Sequence, residues 1–98
     1  MKKNKLLYRE CINIYQIEES FIEALSEVGL INVTDEQDDK FIEYDEISDL
    51  EQYIRWHYDM NINIEGIDAM NHLINKVKAM QSEIQQLTNE LKFYKSIF

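Results

Sequence analysis

The apolar positions of this chain fall into short runs over its first two thirds and into one long period at its end. Met70, Leu73, Val77, Met80, Ile84, Leu87, Leu91, Tyr94 and Phe98 alternate in steps of three and four without a break. All nine a and d positions of four heptads are therefore apolar, the pattern of a coiled-coil seam. A helix from about Ile64 onward spans roughly 50 Å at 1.5 Å per residue, more than the preceding residues can cover. The first two heptads have the option of packing on their own domain. The rest require another helix, and no second long one is predicted. The expectation is self-association, most simply a two-fold homodimer. Its seam would be Val77, Met80, Ile84, Leu87, Leu91, Tyr94 and Phe98.

Upstream, the periods are shorter. Glu10 to Ile17 is an apolar run too brief to separate helix from strand, and Lys5 to Arg9 fits either a strand or a helix lead-in. From Glu18 to Val28 the pattern is helical: Phe21, Ile22, Leu25 and Val28 share one face. Glu18 and Glu19 suit the first turn, and Gly29 suits the position after the C-cap. Leu30, Ile31 and Val33 resume as an extended run. The polar stretch Thr34 to Lys40 then reads as the loop of a small hairpin whose second strand is Phe41, Ile42 and Tyr44. Ser48-Asp-Leu-Glu51 matches a capping box, although a start near Asp45 fits equally. Leu50, Tyr53, Ile54 and Tyr58 (or His57) form the stripe of the helix that follows. Met60 to Ile64 interrupts it, and Asn63 is the predicted N-cap of the last helix.

With 98 residues, one domain is expected. The absence of proline and the presence of only two glycines favour a mostly helical backbone. The single cysteine, Cys11, excludes an intrachain disulfide and a Cys-rich zinc site; a buried thiol is the expectation. The basic start is followed by an apolar run of only Leu6 to Tyr8, too short for a signal peptide. No window approaches the roughly 20 apolar residues of a membrane span. The cytoplasm is the expected compartment.

Charge changes the picture most. The formal net is −9, but it is segregated. Residues 1–10 are net +3 through Lys2, Lys3, Lys5 and Arg9 against Glu10. Residues 18–51 hold 13 acids and one base, Lys40, and residues 52–98 are balanced. A block of −12 disfavours a nucleic-acid backbone or an anionic membrane as partner. It leaves two possibilities, a solvated surface or a docking face for a basic protein.

Catalytic chemistry finds little support. In Arg55-Trp56-His57-Tyr58-Asp59, His57 and Asp59 sit two residues apart, on opposite sides of a helix, so Asp59 cannot orient His57 as a base. Aromatic packing with a hydrogen-bonded His57 is the expectation. His57 and His72 lack metal-ligand spacing. The acids from Asp35 to Glu43 lack the sixth-position glycine of a calcium loop. There is no phosphate-binding glycine loop and no nucleophile elbow. No enzyme, metal or cofactor is expected.

Two short helices, a hairpin, a third helix and a coiled-coil helix together resemble a MerR-like winged helix-turn-helix regulator. The segment Phe21-Ile-Glu-Ala-Leu-Ser-Glu-Val-Gly29-Leu-Ile31 resembles that family's recognition helix and its Gly-Leu-hydrophobic turn. The hairpin from Ile31 to Tyr44 would be the wing. The resemblance implies a mostly α fold, with a winged helix-turn-helix over residues 1–62 and a dimerisation helix over 63–98 in one compact unit. It also implies an antiparallel coiled coil.

The chain departs from the DNA-binding members in charge. It carries Glu19, Glu23 and Glu27 where they carry Arg and aromatic residues. It carries Asp35, Glu36, Asp38 and Asp39 where they carry a basic wing. In this it resembles the chaperone-modulator CbpM family. The match rests on Cys11 to Ile17, on Ser20-Phe-Ile22 with Val28-Gly-Leu-Ile31, on Tyr53 to Ile67, and on the heptad helix through Met80-Gln81. That resemblance implies binding to the J-domain of a CbpA/DnaJ-type co-chaperone and inhibition of its stimulation of a DnaK-type chaperone. The seven carboxylates just named are the candidate contacts, with Phe21 or Trp56 as an aromatic anchor if exposed. The competing readings are a MerR-like DNA-binding regulator and a plain coiled-coil adaptor.

Overall fold

The computed structural model describes residues 5–97, so the expectations for Lys2, Lys3 and Phe98 lie outside the described residues. The chain divides into two compact units, one reaching Asp68 and one starting at Ala69.

The first unit begins with a short strand, β1 (Lys5–Leu7), that runs directly into helix α1 (Tyr8–Tyr15). Both options left open for Lys5 to Arg9 are thus realised in succession. Tyr8 and Cys11 are the buried side chains of α1, while Ile14 points to solvent. The helix stops at Gln16, which takes a left-handed conformation (φ 54°) that no glycine relieves. Ile17 then folds inward and its N–H reaches back to the Ile12 carbonyl at 3.2 Å.

Helix α2 (Glu19–Glu27) follows after this tight turn, completing a helix-turn-helix. Phe21, Ile22 and Leu25 are buried as the periodicity predicts. Val28 is not: it is the C-cap residue and 45% exposed, because the helical path ends before it would return to the core. Gly29 takes φ +82°. Its N–H bonds to the Ser26 carbonyl (3.1 Å), and the Leu30 N–H bonds to the Leu25 carbonyl (2.9 Å). These two bonds are a Schellman motif, which satisfies carbonyls that the helix end leaves open.

Leu30 and Ile31 make a bend rather than strand, with Ile31 buried. The strands are β2 (Val33–Glu36) and β3 (Asp39–Glu43). The polar stretch expected as a loop is therefore mostly paired strand. Only Gln37 and Asp38 form the turn, both at positive φ (51° and 70°), the backbone of a type I′ hairpin. A two-residue turn with this twist keeps Asp35 opposite Lys40 and Glu36 opposite Asp39. Strand β1 pairs antiparallel on the other edge of β3, giving the sheet order β1-β3-β2. Leu6, Ile42 and Val33 lie in one row across the sheet, and Ile42 is fully buried.

A 3-10 turn (Tyr44–Glu46) leads into α3 (Ile47–Ile54). The expected capping box does not form. Ser48 lies inside the helix, and the N-cap is Glu46, which makes no side-chain cap bond. Its carboxylate instead accepts the Asn32 N–H at 2.9 Å, and the turn itself, not Ser48, delivers the chain into α3. Leu50 and Tyr53 are buried.

Residues Arg55–Asp59 then widen into one π-helical turn. Trp56 is buried, and of the two residues offered for the end of the stripe Tyr58 is 43% exposed while His57 is half-buried against Phe21. The Met60 N–H bonds to the Arg55 carbonyl (3.2 Å) and the Ile62 N–H to the Trp56 carbonyl (3.0 Å). Asn63 then caps α4 (Ile64–Ile97) as predicted: its Oδ1 accepts the Gly66 N–H at 2.8 Å. Ile67, one turn in, is fully buried.

The described residues of the second unit, 69–97, are all helix. Leu73, Val77, Met80, Ile84, Leu87, Leu91 and Tyr94 expose between 49% and 62% of their surfaces. Together these elements make a mostly helical winged helix-turn-helix with a small antiparallel sheet and a long C-terminal helix.

Candidate partner-binding surface

Helix α2 supplies the first part of the surface. Burial of Phe21, Ile22 and Leu25 turns Glu19, Glu23 and Glu27 outward, and all three are exposed. They recur every four residues, so they line one side of the helix. The three make no ion pair among the described residues.

What orients α2 is an aromatic cluster from the π-helical turn. The Phe21 ring stacks on the His57 ring with centroids 4.6 Å apart and an interplanar angle of 21°. The Tyr58 ring meets Phe21 edge-on at 5.4 Å. The Tyr58 hydroxyl accepts the Glu18 N–H at 3.1 Å, so a residue of the π turn satisfies a donor at the start of α2. His57 Nδ1 lies 2.8 Å from the Ile62 carbonyl. A carbonyl only accepts, so Nδ1 carries the hydrogen. His57 is thus committed to packing and to holding the turn. Phe21 and Trp56 are only 4% and 6% exposed, which removes both as aromatic anchors for a partner. Their apolar faces are already used by the core.

The hairpin supplies the second part. Asp35, Glu36 and Asp38 are exposed and Asp39 is half-buried. Two of these four are already engaged. The Lys5 ammonium is hydrogen-bonded to the Glu36 carboxylate, and the Arg9 guanidinium lies 3.3 Å from that of Asp39. The Glu36 hydrogen bond, and then its charge, hold the Lys5 ammonium above its usual pKa. Asp35 and Asp38 make no such pair among the described residues. Sequence reading placed the acidic and basic blocks in separate stretches. The pairing of β1 with β3 brings them together, and opposite signs thirty residues apart were the only signal.

Between α2 and the hairpin lies an open cleft of about 370 Å³, lined by Tyr8, Glu23, Ser26, Glu27, Val33 and Lys40. Lys40, the one base of the acidic block, sits with its ammonium 5.4 Å from the centre of the Tyr8 ring. Burial, and then the charges of Glu19 and Glu23, push the Tyr8 phenol up to about 12. Tyr8 therefore stays neutral, and its hydroxyl is directed at the Glu19 carbonyl at 3.5 Å.

The described residues contain no group of three or more His, Cys, Asp and Glu placed to hold a metal ion. Every buried side-chain polar atom among them has a partner. Cys11 is fully buried, and burial followed by the Glu10 charge raises its thiol to about 11. It is a packed side chain rather than a nucleophile. No helix among the described residues is long and apolar enough to cross a membrane.

The surface is thus a winged-helix reading head whose two protruding parts carry carboxylates. No curated protein and no solved structure matches the chain. A family model does: the one described as MerR HTH family regulatory protein covers residues 6–89, from β1 through most of α4. Order of elements, sheet pairing and family match agree, and the chain belongs to the MerR helix-turn-helix regulatory family.

Proposed function

We propose that this chain is a chaperone modulator of the CbpM type, which binds the basic J-domain of a CbpA/DnaJ-type co-chaperone and thereby inhibits it. One observation carries this reading: α2, the helix in the recognition position, turns Glu19, Glu23 and Glu27 to solvent. Carboxylates there face like charge on a phosphate backbone and gain nothing from counterion release. The same carboxylates are complementary to a basic helix, where they steer encounter and fix orientation. The hairpin adds Asp35 and Asp38 beside them. The apolar seam of α4 supports a homodimer in which two such heads are displayed.

The test is titration of the full chain with a CbpA-type J-domain from low to high salt. The expected result is saturable binding that weakens steeply with salt and is lost in Glu23→Lys/Glu27→Lys. A parallel gel shift uses DNA from the promoters around the chain's own gene. Sequence-specific retardation at physiological salt, with no J-domain binding, would replace this reading with that of a DNA-binding regulator.

A further inference from the structure

Resting on the reading of the acidic face as a protein-binding surface, we infer that Lys5 and Arg9 act as an internal counter-ligand for the wing. They hold Glu36 and Asp39 out of the surface that a basic partner meets.

The sheet register shows why the wing has two unlike faces. Side chains alternate along a strand, and residues directly opposite share a face. The row of Leu6, Ile42 and Val33 faces the core, as the full burial of Ile42 requires. Lys40 and Asp35, two positions along, share that side, and Lys40 lies over the Tyr8 ring of α1. The alternate rows, Lys5 with Glu43 and Glu36 with Asp39, fall on the opposite face. On that outer face the chain's own cations engage both Glu36 and Asp39. The side of the wing towards α2 keeps Asp35, and the tip keeps Asp38, without an ion pair among the described residues.

A basic partner therefore meets carboxylates that make no ion pair among the described residues on α2, at the hairpin tip and at Asp35, which faces Lys40 across the hairpin. To use the outer face it must displace Lys5 and Arg9. Both pairs are solvent-exposed, with side-chain exposures of 30% and 53% for Lys5 and Glu36 and of 72% and 45% for Arg9 and Asp39. Exposed pairs are weak, so this competition is graded rather than absolute. Its sense is fixed: removing the internal cations enlarges the acidic surface.

The experiment compares three full-length chains: wild type, Lys5→Gln/Arg9→Gln, and Lys78→Gln/Lys92→Gln. The last carries the same change in net charge on exposed sites of α4. Each is titrated with a CbpA-type J-domain and, separately, with a short oligolysine peptide. Side-chain carboxylate resonances are followed by NMR. Lys5→Gln/Arg9→Gln should bind tighter by at least about two-fold, the scale of two weak exposed pairs. Glu36 and Asp39 should shift on titration in that variant far more than in wild type. Equal affinities, or equal tightening in the α4 control, would overturn the inference. If wild type ignores the J-domain, the proposed function fails, and the oligolysine arm still decides the counter-ligand question.

Discussion

Phe21 and His57 stack face to face, 4.6 Å between centroids, across the joint between the recognition-position helix and the π-helical turn. One ring comes from the helix that bears the carboxylates. The other is fixed from behind by its N–H bond to Ile62. The orientation of α2 therefore depends on a turn more than thirty residues away in sequence.

Removing that ring should be severe. Phe21→Ala leaves a cavity beneath α2 and strips His57 and Tyr58 of their contact; such truncations cost about 3–5 kcal/mol. For a domain this small that is a large share of total stability, so the urea midpoint should fall steeply. Phe21→Leu should retain a measurable transition at a smaller loss. His57 should appear by nitrogen NMR with its hydrogen on Nδ1 when neutral.

The hairpin turn offers the opposite change. Gln37 and Asp38 both occupy left-handed backbone without glycine, a strain of order 1 kcal/mol or more per residue. Asp38→Gly should stabilise the chain by about 0.5 kcal/mol net, since glycine also adds freedom to the unfolded chain. Thermal unfolding reads this directly. A drop in melting temperature would show that the Asp38 side chain, not the backbone, sets the turn.

Alkaline pH should unfold the first unit through its tyrosines. Burial and then the Glu19 and Glu23 charges raise Tyr8 to about 12. Burial, then the 2.7 Å hydrogen bond Tyr15 donates to Glu51, raise Tyr15 to about 12. Both folded values exceed the ordinary value near 10. The unfolded chain thus loses its protons first as pH rises. The stability these groups confer is complete below about 10 and is lost as pH climbs through about 12. Urea midpoints across that window should fall, in step with phenolate absorbance. Glu51→Gln should bring one tyrosine's titration down and leave the other in place.

The proposed homodimer depends on the α4 seam. Ile84 and Leu87 lie near its middle and are 62% and 57% exposed in a lone chain. Burying such side chains against a second helix is worth about 1.5–3 kcal/mol each. Sedimentation equilibrium should give a dimer for wild type and a monomer for Ile84→Glu/Leu87→Glu, with the far-UV spectrum of the first unit retained. A monomeric wild type would remove the dimer from the proposed function.

What sequence reading recovered is what neighbouring residues decide. The face of α2 through Phe21, Ile22 and Leu25, the stop at Gly29 and the Asn63 cap all follow from contacts within a turn or two. What it missed depends on partners far along the chain. The hairpin's polar arms are strand because β3 is held on both edges. The Ser48 box is idle because the 3-10 turn already delivers the chain into α3. Trp56 is buried and Tyr58 exposed on a π-helical turn, which α-helical spacing does not describe. Of the seven carboxylates chosen, all lie on the two protruding parts. Only the fold shows that Glu36 and Asp39 are already partnered.

Cys11 is the only cysteine in the chain and is sealed in the core with its thiol raised to about 11. At neutral pH a thiol so buried and so little ionised should react slowly with thiol reagents while the protein is folded. A single cysteine introduced at Glu23, at Asp38 or on the outer side of α4 becomes its one labelling site. Wild type then serves as the blank for fluorescent, spin or cross-linking probes of where a partner docks.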